Sequence, residues 1–333
     1  MGLQALLRRA RNGDRAVEAD GDPPPRAGGR PSIGLALGGG AARGFAHIGV
    51  LQTLLAHGLK PDVVAGTSMG AVVGGCYAAG QLDFIAEWAT SLTRRRLFGY
   101  LDVSLTGSGL INGGRLARRL ALALGRTKIE ELETRFAAIA TEIDTGHEVW
   151  LTRGRLLEAL RASYALPGVF APVRVGGRWL LDGALVNPVP VSAARALDAR
   201  LVIGVSTNAD LFGRGTTIHS HGFDDTEELA IDDVAAERRW HGKVTAKKLL
   251  KRRFLGRAGR PGLPTVMIEA YNVMQDRITR ARLAGDPADI MISPRLGHIG
   301  LFDFHRAEEA IAIGTEAAER ALEQIDQASE ALR

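Results

Sequence analysis

Gly66-Thr-Ser-Met-Gly70 stands between the apolar run Val63-Val-Ala65 and the small-residue stretch Ala71-Val-Val-Gly-Gly-Cys-Tyr-Ala-Ala-Gly80. This is a G-x-S-x-G pattern in the frame that the pattern needs: a short strand, a sharp turn and a helix. In so tight a turn a Cβ at Gly66 or Gly70 would meet the backbone beside the serine, which is why glycine stands on both sides. The turn lifts Ser68 Oγ off the end of a sheet and presents it as a nucleophile. The competing reading is a glycine-rich turn in a nucleotide-binding fold, so the neighbouring sequence has to decide.

Upstream, Ile33-Gly-Leu-Ala-Leu37 reads as a strand, followed by Gly38-Gly39-Gly40-Ala41-Ala42-Arg43-Gly44 and a helical pattern from Phe45 to His57. Ile48, Leu51, Leu54 and Leu55 recur at helical spacing and mark the buried face. Lys60-Pro61 stops the helix before the strand at Val63. The stretch is one β-α-β unit with parallel strands, so the triple glycine and the serine turn lie at the same carboxyl edge, where open α/β sheets bind ligands. Three glycines before a helix offer backbone N–H groups that converge on an anion. A dinucleotide fingerprint would need glycine where Ala41 or Arg43 stands, and a P-loop would end in Gly-Lys-Ser/Thr. With a serine turn one crossover away, an oxyanion hole is the better reading. Arg43 adds a fixed positive charge, to steady the loop or to meet an anionic head group.

The serine needs a base. His47 and His57 precede it, His147 falls in a hairpin turn, and His219, His221 and His241 fall in a polar insert. His298 and His305 have the chain order of a Ser–Asp–His triad but no supporting motif. Arg178-Trp-Leu-Leu-Asp182-Gly183-Ala184 is more pointed. Gly176-Gly177 turns a hairpin, a strand follows, and an aspartate arrives at its end with small residues behind it. Taken alone, that aspartate reads first as one that merely closes a turn with its own backbone.

Together the glycine loop with its Arg43, the Gly-Thr-Ser-Met-Gly turn and the Asp-Gly-Ala element resemble bacterial patatin-like phospholipases, closest to the RssA-type subgroup. The resemblance takes in Ala162-Ser-Tyr-Ala-Leu-Pro-Gly-Val-Phe-Ala-Pro172, Asn187-Pro188, Asp286-Pro-Ala-Asp-Ile290 and Asp303-Phe-His-Arg306, and runs from Ser32 to Gln327. It implies a serine acyl hydrolase of the phospholipase A or lysophospholipase type, acting on phospholipid or another lipid ester. It also implies a Ser68–Asp182 dyad without histidine, an oxyanion and substrate-binding loop of Gly38, Gly39, Gly40, Ala41 and Arg43, and supporting glycines at Gly66, Gly70 and Gly183. No metal or organic cofactor is called for. Many members carry glycine where this chain has Ala41; the extra Cβ is acceptable unless its φ is positive.

With 333 residues, 46% hydrophobic and 24% charged, the chain can bury a substantial core. Its one cysteine, Cys76, lies on the helix behind the serine turn, a packing position that fits a reducing compartment. No stretch reads as a signal peptide or a membrane span. Residues 1–31 read as a flexible basic arm and 32–327 as the hydrolase domain, with a charged insert at about 210–264. Further helices are expected at Leu82–Thr93, Gly114–Leu124, Arg155–Tyr164, Met267–Leu283 and Arg306–Ile325. Strands are expected at Phe136–Ile143, Glu148–Thr152, Val173–Leu181, Leu201–Val205 and Ile290–Ile292. The order predicts a mixed sheet with a parallel core between helices. In the insert, an acidic run from Asp224 to Glu237 precedes a basic one centred on Lys247–Arg253, interleaved with Leu249, Leu250 and Phe254. Such a segment suits an anionic membrane surface, or folds back on its acidic half. No nucleic-acid motif accompanies the net charge of +5. The expected setting is cytoplasmic, with peripheral contact at the inner face of the membrane. A regulatory lipid- or partner-binding protein on the same fold is the alternative function, and a nucleotide-binding protein ranks last.

Overall fold

The strands alternate between two faces, and both are apolar. Ile33, Leu35 and Leu37 of β1 (Ile33–Leu37) join one core cluster, while Ala36 joins another on the opposite face. Val64 against Val63 and Ala65 of β2 (Val63–Thr67), and Phe136 and Ala138 against Ala137 and Ile139 of β3 (Arg135–Glu142), follow the same rule. A sheet buried on both faces needs helices on both faces, the usual state of parallel strands. In this computed structural model, which describes residues 30–95, 114–211 and 263–333, that is what surrounds it. The N-terminal arm to Gly29, the insert histidines and the basic run Lys247–Arg253 lie outside the described residues.

The sheet order is β5-β6-β3-β2-β1-β7-β8, where β5 is Val173–Val175, β6 Arg178–Asp182, β7 Leu201–Val205 and β8 Ile290–Ile292. From β3 through β2, β1 and β7 to β8 every pairing is parallel. β6 and β4 (Glu148–Leu151) pair antiparallel with β3, and β5 antiparallel with β6. The expected mixed sheet with a parallel core between helices is therefore observed. On one face lie α1 (Ala46–Ala56), α2 (Met69–Ala78), α3 (Leu82–Thr90), α4 (Gly114–Leu124), α5 (Leu156–Ser163), α8 (Ala307–Glu319) and α9 (Leu322–Ala331). On the other lie α6 (Val191–Ala196) and the Leu283 end of α7 (Leu263–Gly285). No helix among the described residues is long and apolar enough to cross a membrane.

Several elements differ from their expected form. The glycine loop leads first into a 3-10 turn, Ala41–Phe45, and only then into α1. The first half of α1 is buried all round, because α8 covers its outer side, whereas Leu55 is only half-buried. The C-terminal helix divides into α8 and α9, since Ala321 N–H donates to the Ala318 carbonyl three residues back and tightens the last turn.

Phe45, fully buried, ends the 3-10 turn and packs edge-on against Trp88 at 6.1 Å and Phe304 at 6.0 Å between ring centroids. Those contacts fix where the chain leaves the glycine loop. Phe45→Ala is expected to lower stability by about 3–5 kcal/mol, measured by chemical unfolding. Phe45→Leu should cost clearly less; equal losses would show that the aromatic edge contacts add nothing.

Candidate active site

Ser68 and Asp182 are 114 residues apart and meet because two strands share one edge of β3. β2 runs along β3 as far as the pair Thr67↔Ile139, and β6 arrives from the opposite direction at Asp182↔Ala140. β4 occupies the other edge at both positions, so the ends of β2 and β6 abut at consecutive residues of β3. Ser68 Oγ donates to Asp182 Oδ2 at 2.6 Å, and the two side chains are 8% and 1% exposed. The other carboxylate oxygen, Oδ1, accepts from Ala184 N–H at 2.9 Å and caps the short 3-10 turn Gly183–Leu185. The two readings of Asp182 therefore coexist on separate oxygens: one closes the turn and the other holds the serine.

Ser68 has φ 55 and ψ −121, a conformation that costs an L-residue of the order of 1–3 kcal/mol. Its N–H donates to Ser163 Oγ at 2.9 Å, at the end of α5, and the Thr67 hydroxyl donates to the Asn187 carbonyl at 2.8 Å. The glycines are where close approach requires them. A Cβ on Gly70 would lie 2.2 Å from the Leu37 carbonyl oxygen, and one on Gly183 would lie 2.3 Å from that of Ile139. Gly66 likewise lies against the backbone of Ala71.

The loop Gly38-Gly39-Gly40-Ala41 passes directly over the serine, since a Cβ on Gly39 would be 3.5 Å from Ser68 Cβ. Its first N–H groups are already used. Gly38 N–H donates to the Val205 carbonyl and Gly39 N–H to that of Pro188, both at 3.0 Å. Among the described residues no acceptor takes up the N–H of Gly40 or Ala41. Ala41 has φ 47, so the condition under which its Cβ was acceptable is not met: an L-residue occupies a left-handed position that glycine would hold without strain.

The buried charges follow from burial. Burial pushes the Asp182 carboxyl up to about 7, against the pull of its bonds to Ser68 and Ala184. His47 Nε2–H donates to the Gly38 carbonyl at 2.7 Å; burial holds the ring down to about 4, so it is neutral and serves the loop. Arg43 is buried and lowered to about 10 by desolvation, and its Nη2 donates to Asn272 Oδ1 at 3.1 Å. His298 Nε2 lies 2.9 Å from Glu309, and His305 Nε2 accepts from Arg94 Nε at 3.2 Å; neither is bonded to Ser68. Burial lifts the Cys76 thiol to about 12, so it is inert packing. Among the described residues no group of three or more His, Cys, Asp or Glu is arranged to hold a metal ion.

Sequence reading missed a polar layer on α7. Gln275, Asn272 and Asp276 are buried, whereas Val266, Met267, Val273 and Met274 of the same helix are exposed, the reverse of an ordinary surface helix. Gln275 Oε1 accepts from Asn208 Nδ2 at 2.8 Å, and its Nε2 lies 3.8 Å from where a Gly39 Cβ would be. Tyr271 is pushed well above the ordinary tyrosine range by burial and then by the negative charge of Asp182. The signal available in the sequence was the i, i+3, i+4 spacing of Asn272, Gln275 and Asp276.

Residues 35–195 match the family described as patatin-like phospholipase. An uncharacterized NTE family protein of Mycobacterium tuberculosis is 36% identical over 330 residues, covering 88% of this chain and 92% of its own length. The chain belongs to the patatin-like phospholipase family. The lysophospholipase NTE1 of Yarrowia lipolytica is 33% identical over 186 residues, which cover 54% of this chain and 13% of that one. The crystal structure of VipD from Legionella pneumophila aligns with a TM-score of 0.48 at 14% identity, covering 89% of this chain and 67% of that chain. Membership places this patatin-like chain among lipid hydrolases.

Folding lifts the Asp182 pKa from 3.8 to about 7, so between these values the folded state keeps a proton that the unfolded chain has released. The stability this lends is complete below the lower value and lost as pH rises through the upper one. Asp182→Asn keeps the shape and removes the charge. Its melting temperature relative to wild type is expected to rise from about pH 5 to about pH 8; a difference that stays flat or falls would refute the raised pKa.

Proposed function

We propose that this chain hydrolyses fatty acyl esters of phospholipid or lysophospholipid through a Ser68–Asp182 dyad. The observation that carries the reading is the 2.6 Å bond from Ser68 Oγ to Asp182 Oδ2 in a buried site, with no histidine bonded to either among the described residues. The family and the name of the Yarrowia relative, a lysophospholipase, support the substrate class. Ser68 Oγ attacks the ester carbonyl carbon while its proton passes to Asp182 Oδ2. The carbonyl oxygen gains negative charge and is met by the N–H groups of Gly40 and Ala41, with Gly38 and Gly39 holding the loop in place. As the ester C–O bond breaks, the leaving alkoxide takes the proton from Asp182. Water then gives a proton to Asp182 and attacks the acyl-serine, releasing the fatty acid and restoring both groups.

A base with a pKa near 7 suits this cycle, because it both accepts and returns a proton near neutral pH. Arg43, buried beside the loop, favours the developing negative charge. The domain assignment 32–327 and a peripheral membrane contact through Lys247–Arg253 belong to the same proposal. The basic run would bring the enzyme to an anionic lipid surface.

Fatty acid release from mixed phospholipids and p-nitrophenyl esters, with EDTA present, tests the reading. Ser68→Ala and Asp182→Asn are each expected to lose roughly 10³-fold or more in kcat/KM while remaining folded. Activity that survives Asp182→Asn but not Ser68→Ala would return the base to a histidine. Wild type that neither turns over an ester nor is labelled by a fluorophosphonate would favour the regulatory binding protein. In the active wild type, log kcat/KM should rise with slope of about one up to about pH 7 and then level off, as Asp182 loses its proton. A flat profile down to about pH 5 would exclude a base raised this far.

A further inference from the structure

We infer that Thr207 is a positioning residue for the oxyanion site: its hydroxyl aims the Gly40 N–H. The inference rests on the serine hydrolase reading above and concerns a residue outside the stretch 35–195 that matches the family.

The placement begins with the β1–β7 ladder, which runs to the pair Leu37↔Val205 and is extended by Gly38 N–H donating to the Val205 carbonyl. Beyond that point the two strands separate. Ser206 N–H turns to the Ile292 carbonyl of β8. Thr207, 1% exposed, reaches back with its side chain instead, and its Oγ1 donates to the Gly39 carbonyl at 2.5 Å. A hydroxyl thus continues the ladder one step past its last backbone bond.

That step fixes a direction. The peptide between Gly39 and Gly40 is trans, so its C=O and N–H point opposite ways. With the carbonyl held by Thr207, the Gly40 N–H is turned away from β7. It is one of the donors that no acceptor among the described residues takes up. Gly40 sits at φ 153, and a Cβ there would lie 2.1 Å from Thr207 Oγ1, so the residue and the hydroxyl are fitted to each other. The next peptide is held in the same manner: Arg43 N–H donates to the Gly40 carbonyl at 3.1 Å, which turns Ala41 N–H the opposite way. Among the described residues no other donor meets the Gly39 carbonyl, so without the Thr207 hydroxyl the Gly39–Gly40 peptide is free to tilt. A donor displaced in this way forfeits stabilisation of the charged oxygen and leaves ground-state binding alone.

The test compares Thr207→Val, which keeps the shape and removes the hydroxyl, with Thr207→Ser, which keeps the hydroxyl, on a soluble p-nitrophenyl ester. Ser68→Ala is run beside them. Thr207→Val is expected to lose about 10- to 100-fold in kcat, with KM changed less than about twofold. It should bind a trifluoromethyl ketone, which forms an anionic adduct with the serine, more weakly by the same factor. Thr207→Ser should recover kcat to within about threefold of wild type. Wild-type kcat in a folded Thr207→Val, with Ser68→Ala inactive, would overturn the inference and leave the serine reading standing. A parallel rise in KM, or a failure of Thr207→Ser to recover the rate, would make Thr207 merely structural and also overturn it. Activity surviving Ser68→Ala would remove the serine reading and this inference together.

Discussion

Everything in the site depends on how three strands share β3. A strand has two edges; β4 takes one, and β2 and β6 divide the other end to end, at Ile139 and Ala140. The turn that carries Ser68 therefore leaves β2 at the point where β6 ends. The chain spends about a third of its length, from Met69 to Leu181, between one side of that junction and the other. Shifting the β6 register by one residue would turn Asp182 to the opposite face of the sheet, and Ser68 would keep its turn but lose its partner. The glycines at 70 and 183 belong to the same constraint. Gly183 lets the backbone lie against the Ile139 carbonyl at the junction, and Gly70 lets the serine turn lie against the Leu37 carbonyl at the end of β1; at either place a methyl group would have to displace a strand.

Once the two side chains are buried together, the electrostatics follow. A carboxylate with one exposed percent of its surface would be costly if ionised, and the acidity of Asp182 is lowered until a proton is held and released near neutrality. The same dryness acts on its neighbours with the sign each chemistry demands: His47 becomes a neutral hydrogen-bond donor to the loop, and Arg43 keeps its charge while losing much of its hydration. The site gathers a carboxyl that titrates near neutrality, a loop with two N–H groups that no described residue accepts from, and a buried guanidinium, which is what the proposed mechanism draws on. In the proposed mechanism stability and chemistry pull apart at Asp182, where the ionised form that would accept a proton is the form the fold disfavours.

Much of this was legible because the decisive signals are local. Strand, glycine loop and helix from Ile33 to His57, and strand, turn and helix from Val63 to Gly80, declare themselves by periodicity and by glycines at fixed offsets. Asp182 was legible only through resemblance, for a physical reason: its turn-closing bond to Ala184 is local, and its bond to Ser68 spans 114 residues. The full burial of the first half of α1 depends on α8, more than 250 residues later, which no periodicity within α1 encodes. Ala41 shows the opposite limit. Its identity marked a departure from the family pattern, but whether the Cβ strains the loop depends on a φ of 47 that composition does not carry. On α7 the rule that apolar residues face inward fails, because what lies beneath the helix is a polar site.

The segments that hold the loop reach well beyond those that identify it. The recognisable motif supplies Gly38 to Arg43, and Arg43 N–H holds the Gly40 carbonyl, yet most of its groups are held from elsewhere: by Val205 and Pro188 on its N–H groups, by His47 and Thr207 on its carbonyls, and by Asn272 on its guanidinium. A glycine-rich loop has little conformational preference of its own, so a backbone donor in it points where its neighbours fix it. Electrostatic catalysis depends on donors already oriented before charge develops, since any reorientation during the reaction subtracts from the stabilisation. A motif of flexible residues is therefore sufficient to name the loop and insufficient to aim it. The aim comes from β7 beyond its last pair, from the Asn187-Pro188 corner and from α7, and the first and last of these lie outside the stretch 35–195 that matches the family.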